Sequence, residues 1–225
     1  LNPIKSTTYV RNCRRPGAYL RLLDHGRETR PKTLEQRMAN EPNFYLEVIR
    51  LVFRSKNDEH QGRPEATESE KAVASNAYRL LNRWQIPPGC TDDGLMDPVR
   101  LIAWLDEVKR QSAESGHFDI AMSVVGQVMT HAPADPGGLW IHRAAAAALN
   151  GRDVDAMRDG FRTQLFNSRG VFSPTGGAGE RALAAKYQER ASKVDEAGFT
   201  RLATTLRDLA DSYERYAKRE EGGLV

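Results

Sequence analysis

Gly116-His117-Phe118-Asp119-Ile120-Ala121-Met122 returns as Gly151-Arg152-Asp153-Val154-Asp155-Ala156-Met157. The two runs lie 35 residues apart, and Trp104 and Trp140, 36 residues apart, precede them. A period of this length marks a supersecondary unit used twice. Each copy reads as helix, glycine turn, helix. Gly116 and Gly151 are expected to take positive φ where the first helix ends, a conformation that costs glycine little. Ala121 and Ala156 are expected to be buried at helix contacts, because a small side chain lets two helices approach.

The same helical spacing extends outward from the repeat. Upstream, Pro42 to Phe53 opens with a first-turn proline, and Phe44, Val48 and Val52 recur every fourth residue with Tyr45, Ile49 and Phe53 beside them. A face that wide belongs to a helix well inside a core. Ser55 to Glu70 is polar and reads as a loop, followed by a helix from Ser69 to Trp84. Asp97-Pro98 is a strong helix start, since the carboxylate can cap amides and the proline fits the first turn. Phe118 to Val128, Leu139 to Leu149 and Val154 to Phe166 read as further helices, and the Gly-rich turn Ser173 to Gly179 precedes another carrying Leu183, Tyr187, Ala191 and Val194. Strand-like alternation is nearly absent. The expected fold is all-α, nine or ten helices in an irregular stack of hairpins, with residues 1–60 as an N-terminal helical segment and 65–220 as the hairpin array. The two repeat units fall near 98–133 and 138–168.

The last helix carries the most regular stripe. Phe199, Leu202, Leu206, Leu209, Tyr213 and Tyr216 step by three and four, the spacing of a coiled-coil seam. Asp211–Arg215 and Glu214–Lys218 stand four apart on the charged side. The seam is expected to close on the helix containing Leu183, Tyr187 and Val194; a homodimer through this helix is the alternative.

Composition excludes several classes. The chain has 225 residues, 40% hydrophobic and 28% charged, which is globular rather than disordered. Lys and Arg number 33 against 30 Asp and Glu, and a net charge of +3 argues against nucleic acid as the partner. The basic start, with Arg11, Arg14, Arg15 and Arg21 among Tyr9 and Tyr19, is the one stretch that suits phosphates. Cys13 and Cys90 lack metal-ligand spacing and suit free thiols in a reducing cytoplasm. No apolar run approaches a membrane span. The chain opens on Leu1, and the expectation is a domain from a longer bacterial protein.

At Gly116, Phe118, Asp119, Ala121 and Pro133, with Trp104 upstream, the sequence resembles a degenerate tetratricopeptide (TPR) repeat over Leu101 to Phe166. The resemblance departs at Glu107-Val108, where the family has Leu-Gly, and the second copy has no closing proline. It implies a TPR-like α-solenoid, a fold that usually binds peptides or partner helices in a concave groove. A weaker resemblance, at Pro42-Asn43-Phe44-Tyr45, Phe166-Asn167-Ser168-Arg169-Gly170-Val171 and Leu206 through Glu214, is to the helical end region of large uncharacterised bacterial proteins. It implies no activity.

Residues that suggest chemistry are few. His117, His131 and His142 lack the spacing of a metal motif, so no metal or cofactor is expected. Thr175 to Glu180 precedes a helix whose amides could face an anion, but it lacks the Lys-Ser/Thr of a phosphate loop. Trp140, Arg162, Asn167 and Arg169 are the candidate binding residues, as aromatic and polar groups in and just after the second repeat unit. The reading is a non-catalytic protein-interaction or regulatory module that binds a peptide or a neighbouring domain. The alternatives are a nucleic-acid-associated helical domain, using the basic start with Arg162 and Arg169, and the regulatory part of an enzyme whose catalytic domain is absent.

Overall fold

The computed structural model describes residues 31–57, 66–170 and 176–222. Among them are nine helices and no strand: α1 (Lys32–Asn40), α2 (Pro42–Val52), α3 (Glu68–Arg83), α4 (Pro98–Glu114), α5 (Phe118–Met129), α6 (Arg143–Leu149), α7 (Asp155–Asn167), α8 (Ala178–Glu196) and α9 (Thr200–Glu221). Local sequence explains most of the boundaries. Pro42 sits in the first turn of α2. Thr67 and Glu70 form a capping box at α3, each side chain bonding the other's backbone amide. The Asp97 carboxylate accepts from the Val99 and Arg100 amides ahead of α4. Gly198, at φ 91°, turns the chain from α8 into α9. The basic N-terminal stretch and Cys13 lie outside the described residues.

An aromatic cluster joins the first helices to the repeat region. The Tyr45 ring lies 5.1 Å from both Trp84 and Trp104. Its hydroxyl donates to the Ala121 carbonyl at 2.6 Å, and Trp104 Nε1 donates to the Met38 carbonyl at 3.1 Å. Lys56 N–H reaches Gly116 O at 3.0 Å, so the chain end of α2 is laced to the first repeat's turn. One apolar core runs from Met38 to Tyr213.

The most extensive helix contacts are α8 with α9 and α5 with α7. The second is not between chain neighbours; α6 lies between them in sequence and touches α4 and α9 instead. Gly126 and Gly160 make the α5–α7 approach close, because a Cβ at either position would overlap the backbone of the facing helix.

The two repeat copies differ in build. Gly116 takes φ 68°, as expected, but Gly151 does not take positive φ. The turn there is instead closed from outside: the buried Arg158 guanidinium donates to Leu149 O at 2.9 Å and to Gly151 O. The second copy's first helix starts at Arg143 rather than Leu139, so Trp140 is outside it. Asp135 causes the delay, because its carboxylate accepts from Gly137 N–H at 2.8 Å and Arg143 N–H at 2.9 Å and holds the intervening residues in a loop. Helix α7 also begins later after its glycine than α5 does. Burial therefore equates Ala121, Met122, Val124, Val125 and Met129 with Met157, Arg158, Gly160, Phe161 and Leu165, 36 residues on. Ala121 is fully buried, whereas Ala156 is half-buried and is not its counterpart.

The terminal seam closes within the chain. Leu202, Leu206, Leu209 and Tyr213 are buried in the α8–α9 contact, and Tyr187 and Tyr213 stack with centroids 5.7 Å apart. Phe199 is partly buried, and Tyr216 breaks from the stripe at 41% exposure. At the start of α9 the Asn150 side-chain oxygen accepts from Arg201 N–H at 2.8 Å, which caps the helix from across the fold.

Candidate functional site

Helices α7 and α9 leave a groove of about 420 Å³ between their outer faces. From α7 come Arg162, Thr163 and Phe166; from α9 come Leu209, Ser212, Arg215, Tyr216 and Arg219. The spacing explains the convergence. Residues 162 and 166 stand one turn apart on α7, and 209, 212, 216 and 219 share one face of α9. Leu209, 2% exposed, belongs to the core below, and Phe166 lies 5.7 Å from Tyr216 and 5.5 Å from Tyr213. The floor is thus apolar and aromatic, and the rim carries three guanidinium groups.

Those guanidiniums are only lightly engaged. Arg162 meets Asp159 at 3.3 Å, with both side chains well exposed, a pairing of small energetic weight. Arg215 donates to Ser212 Oγ at 2.9 Å rather than serving only the opposite, solvated side. Arg219 lies 5.7 Å from the Tyr216 ring centre. A guanidinium offers five N–H donors, so each retains capacity for an acceptor brought by a ligand. The last turns of α9 also present a negative dipole end, which favours cations there.

The four residues singled out from the sequence do not form one site. Arg162 lies in the groove. Trp140 lines a separate cleft of about 350 Å³ with Asp135, Lys186, Arg190 and Lys193. Its ring is covered by Arg190, whose guanidinium carbon stands 4.1 Å above it, and lies 6.1 Å from Phe161. Burial pulls the Arg190 guanidinium below its ordinary pKa. Asn167 is the exposed last residue of α7. Arg169 reaches back to the buried Glu180 at 3.1 Å and ties the end of α7 to the start of α8. The other Glu180 oxygen and the Tyr213 hydroxyl are buried near this pair with no hydrogen-bond partner among the described residues. Burial pushes the Tyr213 phenol up to about 12.

The other suggestive residues have structural employment. His117 bonds to Phe53 O at 3.2 Å and to Ser115 Oγ, and His142 accepts from Ala144 N–H as the cap of α6. Among the described residues no group of three or more His, Cys, Asp or Glu could hold a metal ion. Burial raises the Cys90 thiol above its usual pKa. In the Gly-rich turn, the Gly177 amide before α8 donates to the Glu220 carboxylate at 2.8 Å, so the chain's own anion fills that position. No described helix is long and apolar enough to cross a membrane. Compared with protein-family models, curated proteins and solved structures, the chain matches none.

Proposed function

We propose that this chain is a non-catalytic interaction module with TPR-like helical stacking, part of a larger bacterial protein, that seats a peptide or a neighbouring domain in the α7–α9 groove. The observation that carries the reading is the groove's make-up: an aromatic floor of Phe166 and Tyr216 under a rim of Arg162, Arg215 and Arg219. Aromatic and arginine side chains dominate binding energy at protein interfaces because they bring large area and several donors at modest entropic cost. Tyr216 supports it further, since a residue on a buried seam stands 41% exposed where it borders the groove.

The test is a fluorescence-anisotropy panel of labelled peptides spanning acidic, basic, neutral and apolar compositions, run on the native chain and on Tyr216→Ala. The expected result is saturable binding by at least one class, weakened by the substitution. No binding by any class contradicts the reading.

A further inference from the structure

We infer that the ligand of the α7–α9 groove is a short acidic segment of polypeptide, with carboxylate side chains flanking an apolar one. The inference rests on the groove reading above and adds the chemistry of the partner. Arg215 and Arg219 stand four residues apart on α9, one turn from each other, while Arg162 approaches from the facing helix. Charges set out along a groove in this way meet several spaced carboxylates more readily than one point anion. Each guanidinium offers the planar fork that receives a carboxylate through two parallel N–H donors. Between them, Phe166 and Tyr216 supply an apolar floor that a bare polyanion leaves unused.

The surroundings fix the extent of the ligand. Asp159 stands beside Arg162, and Asp208, Asp211 and Glu214 share α9 with the groove arginines. Asp208 and Asp211 precede Arg215 by about two turns and one turn of α9, so the run of basic side chains along the groove is short. A nucleic-acid strand presents a continuous row of phosphates and draws affinity from many cation contacts, and here the row would run onto acidic side chains. A short acidic segment ends before it meets them. The groove volume of about 420 Å³ suits a few side chains rather than a whole strand or helix.

The experiment compares four probes on the full chain by isothermal titration calorimetry: a blocked peptide of repeated Glu-Leu-Asp units, its Gln-Leu-Asn counterpart, its Glu-Ala-Asp counterpart, and a single-stranded oligodeoxynucleotide of mixed sequence. The acidic apolar peptide is expected to bind best and to weaken steadily with added salt. Loss of either its charges or its leucines is expected to cost about tenfold or more. Arg215→Gln with Arg219→Gln is expected to abolish the advantage of the acidic peptide. Both positions face solvent, and an unchanged circular dichroism spectrum shows that the variant folds. Equal binding of the Gln-Leu-Asn peptide overturns the acidic assignment while leaving the groove as a peptide site. Tighter binding of the oligonucleotide overturns it in favour of nucleic acid. Failure of all three peptides contradicts the groove reading itself.

Discussion

Gly126 on α5 and Gly160 on α7 each lie against the other helix with no room for a side chain. A Cβ on Gly126 would come within 2.9 Å of Phe161 N, and one on Gly160 within 2.7 Å of the Ser123 carbonyl carbon, with the carbonyl oxygens of Met157 and Ser123 closer still. The contact places α7 against the first repeat unit, and α7 in turn carries Arg162 and Phe166 to the groove. Two glycines thereby connect the packing of the repeat region to the geometry of the candidate site.

Gly126→Ala or Gly160→Ala is expected to destabilise the fold by about 1–3 kcal/mol, because the obstacle is backbone and has no rotamer to yield. Alanine at either site would otherwise favour a helix. Urea unfolding gives the answer; a stabilised variant would contradict the close approach.

Leu206 is fully buried in the α8–α9 contact. Leu206→Ala is expected to cost about 2–5 kcal/mol of monomer stability by opening a cavity. Chemical unfolding paired with analytical ultracentrifugation separates this from an interface: lost self-association at unchanged stability would make the seam a dimer surface.

The sequence made the seam legible and the groove illegible, for a physical reason. Leu202 to Tyr213 step by three and four along one helix, so their shared face follows from helix geometry alone. Gly116 likewise announces its turn, since glycine at the end of a helix takes positive φ at little cost. The run Leu139 to Leu149 reads as one helix that includes Trp140, yet the start of α6 is set by the Asp135 carboxylate, eight residues before the amide it holds on Arg143. Gly151 reads as a positive-φ turn, and Arg158, seven residues on at the start of α7, closes that turn instead. Arg215 reads with Asp211 as part of the charged side opposite the seam, and Arg219 carries no signal of its own in the sequence. Their meaning arises from Arg162 and Phe166 on another helix, a juxtaposition that no single helical period contains. Asn167-Ser168-Arg169-Gly170 reads as a helix stop whose arginine fixes nearby carbonyls or a carboxylate, and that carboxylate is Glu180, across the turn on α8.

The Asp135 loop should respond to acid. Hydrogen bonding from the Arg143 amide, with smaller help from Gly137, holds the Asp135 carboxyl below its ordinary pKa of 3.8. A carboxylate depressed in the folded state contributes stability that is full above the unfolded value and is lost as pH falls through the folded one. Asp135→Ala is therefore expected to cost about 1–3 kcal/mol at neutral pH by leaving two amides unpaired. The difference between native and variant stability should shrink below about pH 4, where the unfolded carboxyl takes up its proton. Thermal unfolding measured from neutrality into acid checks this; a difference that persists unchanged in acid would contradict it.

Alkaline pH should act through Tyr213. Its phenol is raised to about 12 by burial, against 10.0 ordinarily. The unfolded chain then releases its proton first, so this tyrosine destabilises the fold as pH climbs from about 10 towards 12. The buried Tyr45 and Tyr187 are raised in the same direction by desolvation and add to the slope. Tyr213→Phe is expected to flatten the loss of stability across that window, and it also removes a buried hydroxyl that has no partner among the described residues. Ultraviolet-monitored titration with parallel unfolding curves would show it; an ordinary phenol titration at position 213 would contradict its burial.

The most direct measurement is two-dimensional NMR of the labelled chain as the Glu-Leu-Asp peptide is added. Concentration-dependent shifts are expected in the Arg162, Arg215 and Arg219 side-chain Nε–H signals and in the rings of Phe166 and Tyr216. The Trp140 indole, under Arg190 in its separate cleft, should stay still. Shifts centred on Trp140, Lys186 and Lys193, or no saturable shift in the groove, would contradict the assignment of the α7–α9 groove as the binding surface.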